Sequence, residues 1–489
     1  MINYRIVYRI MSMLLFIEAA MMLLSTGVSL CYDWGREGDL HSLFVSTIVT
    51  AGVATLLAIA GRKAKKELRK RESFLLVSLA WVFWSIFGML PYLIDGHIPN
   101  VTDAFFETMS GFSTTGASIL NNIEAMPHGL LFWRSLTQWI GGLGIVFFTI
   151  AILPIFGIGG VQLFAAEAAG PTKDKLFPRI GVTARWIWGV YSGLTILEII
   201  FLMFGGMSLY DAVCHAFTTT STGGFSPKQD SIAAYHSPYI EYVIAIFMTL
   251  SGINFMLLFY AVSGKISKFF SDNELQWFLK SMLIFVTIIT AVLFFRQHMG
   301  FEEAFRAAFF QVSSLHTTCG YATADFMLWP PITWACLSFV MITGACAGST
   351  TGGIKSVRMV SMWRIMRNHF KHIIHPNAVL PVRINGQMIQ PPLVIRIFAF
   401  GFAYIGIIIV GSILLMAFDM GFIESLGCTI SALGGVGPGL GKYGPAATWY
   451  DMPAACKWIL SFIMLLGRLE MFTVLVLFTP RFWKQHGYN

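Results

Sequence analysis

Apolar runs long enough to cross a bilayer recur along the chain at about 10–30, 43–61, 73–94, 130–156, 186–205, 238–262, 277–295, 332–354, 393–418 and 458–479. A helix of about 20 apolar residues spans the hydrocarbon core, so the pattern predicts ten spans. The polar segments between them alternate in charge. Residues 62–72 carry seven basic and two acidic side chains, and 355–396 carry seven basic and no acidic ones. In contrast, 95–129 holds Asp95, Asp103, Glu107 and Glu124 without a Lys or Arg, and 31–42, 206–237 and 419–453 are net acidic. Basic loops face the cytoplasm, which predicts that both termini are cytoplasmic, and an even number of spans agrees with that. Trp133, Trp139, Trp329, Trp334, Trp449 and Trp458 fall near span ends, where indoles form interfacial belts.

The outer segments after spans 3, 5, 7 and 9 share a second pattern. Each has a short, partly apolar stretch running into Ser, Thr and Gly: Asp103–Ser118, Asp211–Ser226, Ala307–Thr323 and Glu424–Gly441. Aligned on Gly116, Gly223, Gly320 and Gly437, they recur at spacings of 107, 97 and 117 residues, a repeat signal. Asp103, Asp211 and Glu424 precede those glycines by 13, 12 and 13 residues and are expected to cap short helices. The third repeat has Ala307 there, with Glu302 and Glu303 upstream. Each unit therefore reads as span, re-entrant helix, extended strand, span. The expected fold is an all-α polytopic membrane protein with four parallel units around one central pore, plus an N-terminal helix hairpin. The expected boundaries are 1–68 for the hairpin and 69–170, 171–270, 271–380 and 381–489 for the four repeats.

Composition narrows the function classes. Of 489 residues, 56% are hydrophobic and 12% charged, against about a quarter charged in soluble proteins. That excludes an ordinary soluble enzyme and a disordered chain. The net charge of +8 is accounted for by the inner loops, so no nucleic-acid partner is expected. The seven cysteines show neither Cys-x-x-Cys nor zinc spacing, so they read as small buried hydrophobes. The first apolar run is too long for a signal peptide core and reads as a retained span.

Non-helical backbone at membrane depth is tolerated where it is buried in protein or lines a water-filled path. Four Ser/Thr/Gly strands about one axis would form rings of carbonyl oxygens able to replace a monovalent cation's hydration shell. Glycine frees the dihedrals that aim those carbonyls, and the C-terminal ends of the short helices favour a cation. The expected contacts are the carbonyls of Thr115–Gly116, Thr222–Gly223, Cys319–Gly320 and Val436–Gly437.

These four segments resemble the pore loops of the Trk/Ktr/HKT superfamily of potassium transporters, most closely its bacterial TrkH/TrkG-type membrane subunits. Further matches are Trp133–Ile145, Ser251–Phe255, Gly344–Arg358 and Leu465–Val474. The resemblance covers nearly the whole chain. It implies a K⁺-binding filter of Thr114, Thr115, Gly116; Ser221, Thr222, Gly223; Thr318, Cys319, Gly320; and Gly435, Val436, Gly437. It also implies a homodimer in the bacterial inner membrane and a cytoplasmic nucleotide-binding regulatory subunit of TrkA type. No organic cofactor is expected in this chain. In that family, glycine in all four filter positions goes with potassium selectivity, and serine in the first with sodium permeation.

Ionisable residues within spans are expected to be functional. The run Gly344–Gly353, which includes Gly348 and Gly352, is too rich in glycine to stay helical. It is expected to break the second span of repeat three and, by the resemblance, to form a gating loop ending at Lys355. Lys355 alternatively begins the basic inner segment and snorkels. Arg468 lies near the middle of the tenth span, either facing the pore as part of the gate or pairing with another helix. Glu470, two residues on, is not its same-face partner. Asn254 bonds either backbone freed by a broken helix or a neighbouring helix. His369, His372 and His375 read as a solvated or partner-facing surface, with metal ligation the alternative. Glu18 and Glu198 lie within spans without an assigned role. The function expected is K⁺ uptake. The alternatives are a cation symporter of the same superfamily and, from another class, a membrane-embedded enzyme, against which stands the lack of an H-E-x-x-H, nucleophile-elbow or Walker A motif.

Overall fold

The computed structural model describes residues 2–33, 37–64, 68–142, 144, 180–378 and 380–484. The second half of the fourth apolar run therefore lies outside the described residues. The main helices are α1 (Tyr4–Tyr32), α2 (Glu37–Gly61), α3 (Lys70–Gly88), α4 (Val101–Phe112), α5 (His128–Gly142), α6 (Ile180–Phe204), α7 (Leu209–Thr220), α8 (Pro238–Ser251), α9 (Phe255–Val262), α10 (Asn273–Arg296), α11 (Phe301–His316), α12 (Pro331–Ile342), α13 (Ser356–Ile374), α14 (Pro391–Met416), α15 (Phe422–Gly434), α16 (Ala454–Arg468) and α17 (Phe472–Leu475). A two-residue hairpin of β1 (Arg383–Ile384) and β2 (Gln387–Met388) precedes α14. Its turn, Asn385–Gly386, has positive φ at both positions, the geometry that Asn-Gly favours.

Helices α1 and α2 pack together as a pair, so closely that a methyl group on Gly61 would lie 2.7 Å from the Arg9 amide nitrogen. Apolar side chains cover the outside of the molecule: Leu24, Leu56, Ile196, Phe204, Leu283, Phe402, Ile405 and Ile413 are all exposed. The centre, by contrast, holds buried Thr218, Thr219, Thr220, Ser313, Ser314 and Thr317. An apolar exterior around a polar interior is the arrangement a bilayer demands.

Among the described residues, six helices are long and apolar enough to cross a membrane, and two bent pairs would make eight. Three of the predicted second spans are interrupted. Helices α8 and α9 meet at 105° around Gly252–Asn254, and α16 meets the segment 472–478 at 109° around Glu470 and Met471. Helix α12 stops at Ile342 and gives way to a loop. The sequence reading broke only the last of these.

The four re-entrant helices are α4, α7, α11 and α15. Their N-caps are Asn100, Ser208, Gly300 and Gly421, not the acidic residues expected there. The Asn100 side chain accepts from Thr102 N–H and the Ser208 hydroxyl from Asp211 N–H. Asp103, Asp211 and Glu424 instead sit in the first turn, where a carboxylate still meets the positive end of the helix dipole. Helix α11 begins earlier relative to its glycine, so Glu302 and Glu303 fill that role and Ala307 lies mid-helix.

A four-stranded carbonyl ring and the loop beneath it

Each re-entrant helix ends the same way. The chain turns through the left-handed region at Thr114, Thr222, Thr318 and Gly435, with φ of 55°, 54°, 56° and 67°. Two residues later it does so again, at Gly116, Gly224, Gly320 and Gly437. Between these positions the amide N–H of Thr115, Gly223, Cys319 and Val436 donates back to the carbonyl of Ser110, Thr218, Ser314 and Ser431. Three β-branched threonines in the left-handed region are costly, a kind of strain concentrated at functional sites.

This pattern shifts the second unit by one residue. The counterpart of Gly116 is Gly224, not Gly223, and the counterpart of Thr114–Thr115–Gly116 is Thr222–Gly223–Gly224 rather than Ser221–Thr222–Gly223. Ser221 is the last capping residue of α7, its hydroxyl bonded to the Thr218 carbonyl.

The four strands close on one another in a ring. A Cβ on Gly116 would overlap the Gly223 carbonyl oxygen, one on Gly224 the Cys319 oxygen, and one on Gly320 the Val436 oxygen. On Gly437 it would lie 2.9 Å from the Thr115 oxygen. Thr115, Gly223, Cys319 and Val436 are the middle residues of the four equivalent triplets. Four backbones thus meet carbonyl against glycine, in cyclic order, and side chains are excluded from all four junctions.

Side chains behind the ring hold it. The Gln138 amide donates to the Gly223 carbonyl (2.9 Å) and accepts from Phe225 N–H (3.0 Å). Arg134, 2% exposed, pairs with Glu107, 1% exposed, at 2.7 Å. The same guanidinium donates to the Ser226 carbonyl and lies 3.5 Å over the Phe225 ring. Glu107 in turn accepts from Ser118 Oγ and Ile119 N–H, just past the first strand. One buried ion pair therefore joins the first two strands. The sequence reading missed it: Glu107 counted only as an outer-loop charge, and Arg134 passed inside a matched motif. The signal available was an arginine within an apolar run. Breaking such a pair strands a buried charge, so Arg134→Ala is expected to destabilise the protein by about 3–5 kcal/mol. Thermal unfolding in detergent would measure it; an unchanged midpoint would show that the pair holds nothing.

Beneath the ring lies the loop 343–355, carrying Gly344, Gly348, Gly352, Gly353 and Lys355. It touches three of the four units. Thr222 Oγ1 donates to Thr350 Oγ1, which donates to the Thr220 carbonyl, each at 3.2 Å. Gly352 N–H donates to Thr318 Oγ1 (2.8 Å), and a Cβ on Gly352 would overlap the Gly434 carbonyl. The loop is also tied to the broken second unit, by Cys346 N–H to the Gly252 carbonyl and by Phe255 N–H to the Gly348 carbonyl. Asn254 caps α9, accepting from Met256 N–H, so it serves backbone freed by the break.

Arg468 is the last residue of α16, not the middle of a continuous span. Its guanidinium donates to the Thr350 carbonyl (2.8 Å) and to the Gly141 and Gly142 carbonyls at the end of α5. It thereby links the loop to two other units. Lys355 folds back onto the loop, its ammonium donating to the Thr351 carbonyl and hydroxyl. Glu470 pairs with Arg358 of α13 at 2.5 Å, a contact that sequence spacing could not suggest. Glu198 accepts from Thr220 Oγ1 (3.3 Å) behind α7. Glu18 is fully buried without a hydrogen-bond partner among the described residues. His369, His372 and His375 are exposed on α13 and its end, and no cluster able to hold a metal ion occurs among the described residues.

A multi-pass helical membrane protein whose polar centre is a ring of backbone carbonyls above a glycine-rich loop belongs with the transporters and channels, not the enzymes. The chain is a member of the TrkH family, whose model, described as a cation transport protein, matches residues 41–485. It is 38% identical over 493 residues to the Trk system potassium uptake protein TrkH of Salmonella typhimurium, covering 99% of this chain and all of the relative. It is 32% identical to TrkG of Escherichia coli K12, with 99% of each chain covered. The crystal structure of the potassium transporter TrkH from Vibrio parahaemolyticus superposes with a TM-score of 0.88, at 33% identity, over 99% of this chain and all of that one.

Proposed function

We propose that this chain takes up K⁺ across the bacterial inner membrane, through the ring, with both termini in the cytoplasm. The observation that carries the reading is the cyclic contact of four carbonyl-bearing strands through glycines. An ion at its axis would exchange water oxygens for Thr115, Gly223, Cys319 and Val436 carbonyls, a coordination suited to a large monovalent cation. The acidic outer segments concentrate cations at the entrance. Glycine in all four positions favours K⁺ over Na⁺ by analogy with the superfamily.

On this reading each strand belongs to one repeat, within the boundaries given above, and the loop 343–355 is the gate. Held by Thr220, Thr222, Thr318 and Arg468, it lies where an ion leaving the ring would pass. It moves when a cytoplasmic nucleotide-binding subunit of TrkA type docks on the basic inner segments 62–72 and 355–396 of a homodimer.

Expressed with such a subunit in a host lacking its own K⁺ uptake, the chain is expected to restore growth on low K⁺ and to drive radioactive Rb⁺ uptake. Uptake that persists after bulky substitutions at Gly116, Gly224, Gly320 and Gly437 together would sink the reading.

A further inference from the structure

Apart from the ring and its loop, a cavity of about 370 Å³ opens between the start of α10, the middle of α13 and the β1–β2 hairpin. Its walls carry four cations, Lys280, Arg364, Arg367 and Arg383, and the indoles of Trp277 and Trp363, whose ring centres are 6.3 Å apart. Among the described residues, no carboxylate lines it. Asp272, beside the cavity, spends its oxygens on Leu275 N–H and the Asn385 amide.

Arg364 is held in place. Its guanidinium donates to Asn273 Oδ1 (2.9 Å) and to the Arg383 carbonyl, and Asn273 Oδ1 also accepts from Asn385 N–H. Helix α13, the hairpin and the first residue of α10 are thereby joined around the cavity. A guanidinium has five donors, so capacity remains. Lys280 and Arg367 are exposed and have no hydrogen-bond or ion-pair partner among the described residues. Four like charges on one cavity repel until an anion enters. The arginine fork is suited to the oxygens of a phosphate.

The surface beside the cavity separates two sources of that phosphate. Trp363, Met366 and Phe370 of α13 are exposed apolar residues three and four positions apart, forming a stripe along the helix that also carries Arg364, Arg367 and Lys371. A basic amphipathic helix of this kind lies in the headgroup region with its apolar face toward the acyl chains. A free phosphate has no use for such a stripe. The topology proposed above puts this end of α10 at the cytoplasmic surface, where anionic lipids attract juxtamembrane Lys and Arg.

We propose that this cavity binds the phosphate of an anionic phospholipid headgroup, with the acyl chains along Trp363, Met366 and Phe370. The test is lipid retention on the purified full-length protein, read by native mass spectrometry in equal phosphatidylglycerol and phosphatidylcholine. This readout is independent of K⁺ transport, so it can fail while the proposed function stands. The wild type is expected to retain phosphatidylglycerol selectively. Removing two charges with Lys280→Gln and Arg367→Gln is expected to cut that selectivity by about ten-fold or more. Arg367→Lys alone keeps the charge and is expected to keep most of it. Excess inorganic phosphate is expected to leave retention unchanged. Equal selectivity in wild type and double variant overturns the site, and displacement of the lipid by inorganic phosphate overturns the lipid as its occupant.

Discussion

Gly116→Ser is expected to lower the ratio of K⁺ to Na⁺ transported by at least about ten-fold, equivalent to ~1.4 kcal/mol of lost discrimination. Two effects combine at this position. Gly116 has φ of +81°, where an L side chain costs about 1–2 kcal/mol. The added Cβ also falls on the Gly223 carbonyl oxygen, and because that obstacle is backbone, no rotamer change relieves it. The junction between the first two strands must widen, and Gly223 must turn away or draw back. A widened ring holds a dehydrated K⁺ less well and admits a hydrated or smaller cation more easily. Gly224→Ser is expected to do the same at the next junction, since its Cβ meets the Cys319 oxygen. Gly189→Ala supplies the control, as nothing lies within 4 Å of its added Cβ. Competition of Na⁺ against radioactive Rb⁺ uptake in vesicles reads the ratio directly. A ratio unchanged in both serine variants would refute selection by the carbonyl ring.

The inclusion of Gly224 in that experiment shows where sequence reading stops. Hydropathy and the in-phase Ser/Thr/Gly segments were enough to predict a helical membrane protein with four re-entrant segments, and the resemblance of those segments and of four further motifs pointed to the family. The doublet Gly223–Gly224 left the register of the second strand open, and aligning on the first glycine gave Asp211 a spacing of 12 where Asp103 and Glu424 have 13. Choosing Gly224 makes all three 13. The hint was present, but only the left-handed turns at Thr222 and Gly224 show its meaning.

The broken spans were hidden for a different reason. Apolar residues continue on both sides of Gly252–Asn254 and of Arg468–Met471, and hydropathy averages across a bend. Arg468 was recognisable as unusual, because an arginine inside an apolar run needs a partner. What it bonds was not recognisable. Its acceptors include the carbonyls of Gly141, Gly142 and Thr350, 118 to 327 residues away in sequence, and carbonyls exist at every position. Arg134 carried the same signal, an arginine within an apolar run, but its partner Glu107, 27 residues earlier in an outer segment, was recognisable only once folding brings their helices together.

Glu274→Ala is expected to raise Rb⁺ flux in the absence of any regulatory subunit by about ten-fold or more. Glu274 is the second residue of α10 and is 5% exposed. A single oxygen, Oε1, accepts from Ala347 N–H at 2.6 Å and from Val357 N–H at 3.0 Å. Those two amides bracket the segment that carries Gly348, Gly352 and Gly353, so one carboxylate closes the loop at its base. A hydrogen bond contributes about 0.5–1.5 kcal/mol, and a buried donor left without its acceptor costs about 1–3 kcal/mol. Removing both leaves two buried N–H groups unsatisfied and weakens the base of the loop, although Thr220, Thr222, Gly252, Phe255, Thr318 and Arg468 still bond to it. Because glycine gives the unfastened segment many alternative conformations, the population with the loop displaced rises. Glu274→Gln keeps an acceptor oxygen at that position and is expected to fall between wild type and alanine. Flux into proteoliposomes of the purified chain, with unfolding temperature measured alongside, separates a loosened loop from a damaged fold. If folded Glu274→Ala protein conducts no faster than wild type, Glu274 does not restrain the proposed gate.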